Sequence, residues 1–222
     1  MSWRRGMTLI ELLTTSALVL LVVGLAALLL VRTTRATLRG TMRVDMQQQG
    51  VLALEKMLTC MRRSCSGGIS VRSGDQPRAI AVCPISSPTL RSGEPAPLQA
   101  DGRLRWSSFF QIFYYHEASR QLRFREWPPG SVPASTLETS RAFPRRLSPA
   151  RLAEVLTGST PREAVLASGV REFNVTYPPG GSDDMYVQPL TLQIVQQREG
   201  NTGHGRPEVF TCTRTLFLAE QR

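Results

Sequence analysis

Between Met7 and Val31 the sequence runs for 25 residues with a single charge, Glu11. Roughly 20 apolar residues in a helix cross the hydrocarbon core of a bilayer, so this run is long enough to span one. Arg4 and Arg5 precede it, and Arg32, Arg35, Arg39 and Arg43 follow it, so counting positive charges does not orient the span. A cleaved secretory signal needs a shorter apolar core and a small-x-small site, and Leu28-Leu29-Leu30-Val31-Arg32 offers none. A plain uncleaved anchor accounts for all of this except Glu11. A carboxylate inside an apolar helix is costly unless it is paired, lies near headgroups or serves a function.

Beyond Val31 the helical period persists. Leu38, Met42, Met46, Val51, Leu54, Leu58 and Met61 recur at short helical steps and read as a core-packing stripe. Gly40 and Gly50 weaken this helix without ending it, and Gly67-Gly68 is its natural stop. A helix from Met7 to about Ser64 is roughly 85 Å long at 1.5 Å per residue. After Gly68 the pattern becomes that of strands. Ala79–Val82 reads as one, and Ile85–Gly102 as a Pro/Ser/Gly-rich loop. Trp106–Tyr115 and Gln121–Trp127 form a hairpin around the turn 116–120. A short helix is expected from Ser148-Pro149 through Leu156. Thr160-x-x-Glu163 has the form of a capping box, with a strand entering Val165-Leu166 as the alternative. Val170–Tyr177, Tyr186–Gln197 and Glu208–Leu218 are three further strands. The fold class is therefore α+β: one long N-terminal helix followed by an antiparallel sheet domain.

The residues around Glu11 carry more information than the span alone. Arg4-Arg5-Gly6-Met7-Thr8-Leu9-Ile10-Glu11-Leu12-Leu13 resembles the class III signal of type IV prepilins. That signal has a basic leader, a glycine, a cut, and an apolar helix with glutamate at its fifth position. Gly6 matches the glycine before the cut, Met7 the new N-terminus and Glu11 the glutamate. Met7 stands where phenylalanine is commoner, and the span lacks the helix-bending proline of many major pilins, leaving Gly24 as its one weak point. The globular half is more loosely similar to the larger minor subunits, the J-type pseudopilins of type II secretion and the W-type minor pilins. The likeness there is a tyrosine-rich hairpin and the segment Leu166-Ala167-Ser168-Gly169-Val170-Arg171-Glu172-Phe173.

The resemblance implies a leader at 1–6, a transmembrane and assembly helix at 7–31, its docked continuation at 32–66, and a β-rich domain at 67–222 outside the inner membrane. It implies cleavage between Gly6 and Met7 by a prepilin peptidase, N-methylation of Met7, and Glu11 as an assembly residue. The implied partners are other pilins or pseudopilins and an inner-membrane assembly platform, with the subunit priming or capping a pilus or secretion pseudopilus. The chemistry is consistent with this. Cleavage leaves a cationic amine on Met7, four residues from Glu11 on one helical face. The carboxylate pairs with that amine in a monomer, or with a neighbouring helix's amine in a filament. An extracytoplasmic domain lets cysteines oxidise. Cys60 and Cys65 sit too far apart on a helix to bridge each other, which leaves two pairings open; the one expected here is Cys65 with Cys83 and Cys60 with Cys212, pinning the first and last strands to the helix.

Other function classes have less behind them. The formal charge of +10 is almost wholly arginine, Lys56 being the only lysine, and the arginines are spread from Arg4 to Arg222. A nucleic-acid binder gathers its basic residues beside aromatic partners, so a solvated surface is the reading, with contact to anionic lipid or DNA left open. A membrane-anchored binding module, an adhesin or DNA-contacting protein outside any filament, is the alternative function. No G-x-S-x-G, H-E-x-x-H, C-x-x-C or phosphate loop is present. His116 falls in a turn, His204 in a Gly-rich loop, and Asp183-Asp184 in a turn that only weakly resembles a calcium loop. No catalytic residue, cofactor or metal is expected.

Overall fold

A computed structural model describes residues 8–64, 66–72, 78–85, 106–107, 109–128, 146–158, 163–178, 189–198 and 207–217. Helix α1 (Leu9–Arg62) is followed by a single 3-10 turn (Ser66–Gly68) and strands β1 (Ile69–Arg72), β2 (Ala79–Val82), β3 (Phe110–His116) and β4 (Gln121–Trp127). Helix α2 (Pro149–Thr157) precedes β5 (Glu163–Ser168), β6 (Val170–Thr176), β7 (Leu190–Arg198) and β8 (Glu208–Leu216). The chain divides into two compact units, Met1–Val44 and Asp45–Arg222, with the boundary inside α1.

In the first unit the described residues are one exposed helix. Its side chains from Leu9 to Val31 make no buried core, and the most apolar window of α1 has none of its area covered. The hydroxyls of Thr14, Thr15 and Ser16 bond back to the carbonyls of Ile10, Glu11 and Leu13. Their polar atoms are thus satisfied within the helix, as lipid requires. The length and composition fit a single membrane crossing.

The second unit is built on the rest of α1. Met46, Gly50, Ala53, Leu54, Met57, Leu58, Cys60 and Met61 are buried, at the steps of three and four that align one helical face. Val51, assigned to this stripe from the period, is exposed, and Gly50 lies buried instead. The reason is a close approach. A Cβ on Gly50 would stand 2.8 Å from Gln196 Oε1 and 3.2 Å from the Phe210 ring.

Two antiparallel sheets receive this face: β1-β2-β3-β4-β5 and β6-β7-β8. Ile69, Val71, Ile80, Val82, Phe113 and Leu122 from the first sheet, and Phe173, Leu192, Ile194 and Leu216 from the second, close one core over α1. The opposite face of the first sheet forms a second core, where Ala79, Ala81, Phe110 and Ile112 meet Leu152 and Val155 of α2. All four residues of β2 are buried because the strand lies between two helices. The hairpin β3–β4 pairs in register from Phe110↔Trp127 to His116↔Gln121. Arg120 turns it at φ +50°.

Helix α2 is capped at both ends. The Ser148 hydroxyl accepts from Arg151 N, as an N-cap serine does. At the other end the buried Arg125 donates to Leu156 O (2.6 Å) and Gly158 O (2.9 Å) and lies over the Tyr114 ring. Those carbonyls are among the four that a helix leaves without partners. Glu163 opens β5 and pairs with Arg123 at 3.1 Å, so the strand alternative holds at Glu163, while Thr160 lies outside the described residues.

The sheets meet at Gly169 (φ +65°), a left-handed corner that favours glycine. Ser168 beside it ties α1 to both sheets. Its N–H and hydroxyl reach Gln49 Oε1 at 3.2 and 3.1 Å, its carbonyl accepts from Gln196 Nε2, and its hydroxyl accepts from Arg198 Nη2.

Candidate functional site

The first turn of α1 holds the one acidic side chain between residues 9 and 44. Thr8 N–H donates to Glu11 Oε2 at 2.9 Å, and Glu11 N–H donates to Thr8 Oγ1 at 3.4 Å. This reciprocal pair is a capping box, satisfying two of the N–H groups that a helix start leaves open. The carboxylate also stands at the positive end of the helix dipole. Glu11 therefore has a structural role independent of any partner. Its Oε1 has no hydrogen-bond partner among the described residues and remains open to a cation supplied from outside.

Thr8 is the residue that reading the sequence missed. Its signal was present, because Thr-x-x-Glu directly before an apolar run is the capping-box pattern; the pattern was assigned instead at Thr160. Gly6 and Met7, the expected cleavage site, lie outside the described residues. So do Cys65, and with it the expected Cys65–Cys83 pair, Asp183-Asp184 and His204.

The expected Cys60–Cys212 bridge is not found: both are buried free thiols. Cys60 sits on α1 among Lys56, Arg63 and Glu126, whereas Cys212 on β8 sits near Arg214 and Glu55. The two side chains thus have different surroundings although they share one core. Burial pushes both thiols up, against the pull of the neighbouring cations. Raised thiols stay protonated and unreactive at neutral pH. Cys83 is buried in the other core, its sulfur 3.5 Å from Ser107 O.

The histidine at the hairpin is a turn residue. His116 Nδ1 lies 2.8 Å from Ser119 Oγ and accepts from Ser119 N–H. The serine in turn contacts Arg123 and Gln121 on an exposed surface. Among the described residues, no group of three His, Cys, Asp or Glu side chains is arranged to hold a metal ion. Compared with known proteins, the chain matches no family model, no curated protein and no solved structure.

Proposed function

We propose that this chain is a membrane-anchored filament subunit of the prepilin class, a minor pilin or pseudopilin that primes or caps its fibre. One observation carries the reading. A single carboxylate sits in the first turn of an uncovered apolar helix, and that helix continues into an antiparallel sheet domain. Maturation cuts between Gly6 and Met7 and leaves a cationic amine. Glu11 offers its open oxygen to such an amine on a neighbouring helix, in a low-dielectric setting where the pairing fixes register. The partners are a prepilin peptidase, other pilin-like subunits and an inner-membrane assembly platform, with the β-rich domain extracytoplasmic.

Intact mass and N-terminal analysis of the membrane-extracted protein, with and without a prepilin peptidase, tests the processing step. A mature chain beginning at Met7 and heavier by one methyl group is expected. A chain that still begins at Met1 beside an active peptidase overturns the reading and leaves an anchored binding module. Glu11→Gln then tests assembly. Glutamine also closes a capping box, so this change removes the charge while keeping the helix start. Insertion should persist and incorporation beside partner subunits should fall; undiminished incorporation removes Glu11 from assembly.

A further inference from the structure

The thirteen residues after the apolar run hold a feature that filament assembly does not use. From Leu12 to Val44 α1 contains no acidic residue and four arginines, Arg32, Arg35, Arg39 and Arg43. Their spacings of three, four and four bring them, at 3.6 residues per turn, within an arc of about 80°. All four are exposed, and none has an ion-pair partner among the described residues. Like charges three and four apart repel on a helix, so the stripe disfavours its own helix unless an anion faces it.

The rest of the circumference has a different character. Thr33, Thr34, Thr37 and Thr41 donate their hydroxyls to the carbonyls of Leu29, Leu30, Thr33 and Leu38. With Leu38 and Val44 they form a side whose hydroxyl donors are satisfied within the helix. A helical segment with one arginine face and one such side, continuous with a membrane-length apolar run, has the form of an interfacial element.

We propose that this stripe binds the phosphates of anionic phospholipid headgroups in the leaflet from which α1 emerges. The proposal rests on the apolar run crossing a membrane, and not on filament assembly. Arginine suits the ligand, because its planar fork meets phosphate with two parallel hydrogen bonds. A second copy of the chain does not fit, since it would set one arginine stripe beside another. Distance grades the four residues. At 1.5 Å per residue, Arg35, Arg39 and Arg43 stand roughly 4, 10 and 16 Å beyond Arg32 along the helix. The headgroup layer is about 5–7 Å deep, and charge is screened over about 8 Å at physiological salt. Arg32 and Arg35 therefore lie within the layer, Arg39 reaches it by bending its stem back, and Arg43 feels it least.

The test uses the full chain reconstituted in phosphatidylcholine vesicles containing spin-labelled phosphatidylglycerol or spin-labelled phosphatidylcholine. Alkaline carbonate extraction is scored first. A chain released by carbonate overturns the membrane span and the stripe together; a retained chain tests the stripe alone. In retained protein the motionally restricted fraction should favour phosphatidylglycerol, and added salt should erase the preference. Arg32→Gln or Arg35→Gln should each reduce it by up to about fivefold, Arg39→Gln by less, and Arg43→Gln least. Equal restriction of the two lipids overturns the proposal. So does a preference that survives all four substitutions, which places the anionic-lipid contact elsewhere on the chain.

Discussion

Arg198 Nη1 lies 2.5 Å from Asp45 Oδ2, joining the end of β7 to the first residue of the second compact unit. The other Asp45 oxygen accepts from Gln49 Nε2, one turn further along α1, and Arg198 also reaches the Ser168 hydroxyl. Both partners of the pair remain partly exposed, so the pair alone is weak, and its strength comes from the shared network. A double-mutant cycle of Asp45→Asn and Arg198→Gln, read by urea unfolding of the full chain in detergent, should give a coupling of about 0.5–1 kcal/mol. Additive effects would mean that Ser168 and Gln49 hold the corner without the ion pair.

Gly50 is needed because the helix comes close to the sheet there. Gly50→Leu should destabilise by about 1–3 kcal/mol through overpacking against Gln196 and Phe210. Gly40, with open space around it, should accept alanine with a gain from helix propensity alone, up to about 1 kcal/mol. Thermal unfolding of the two variants side by side separates these effects.

The acid limb of stability should depend on Glu163. Burial raises its carboxyl, but hydrogen bonding by Tyr114 and the charges of Arg125 and Arg123 outweigh that and hold it below its ordinary 4.5. The unfolded chain thus takes up this proton at higher pH than the folded one. The stabilisation is complete above 4.5 and is lost as pH falls through the lower folded value. Melting temperature should drop over that window in the parent and drop less in Glu163→Gln.

Cys60 and Cys212 should react slowly with iodoacetamide in the native protein at neutral pH and rapidly in urea, since burial both shields and protonates them. Fast native labelling of either would place that thiol at the surface.

The long helix and the hairpin were legible because each follows one strong period over many residues. Leu54, Met57, Leu58 and Met61 keep a helical beat, and Leu122 alternates with Arg123 in a strand. Three things were hidden. Strand β1 is only Ile69–Arg72, directly behind two glycines, and its partner β2 begins after residues with no strand pattern. Ile80 and Ala81 cannot announce from sequence that opposite sides of their strand meet different helices. The place of Gly50 rather than Val51 in the buried stripe depends on how near β7 comes, a tertiary distance that no period encodes. At the candidate site, Glu11 stood out as a lone charge, whereas Thr8 looked like part of the apolar run until its N–H was seen on the carboxylate.

Strand β2 also limits how this sequence can drift. Ala79 and Ala81 are fully buried in the core with α2, and Ile80 and Val82 are fully buried in the core over α1, where a larger alanine replacement overpacks and a smaller Ile or Val replacement leaves a void. Most core positions are constrained from one side and can trade volume with a neighbour across the same interface. Here a trade in either core displaces the strand and is felt in the other. The two cores therefore cannot be remodelled separately, and accepted changes at these four positions should come with compensating changes on both helices.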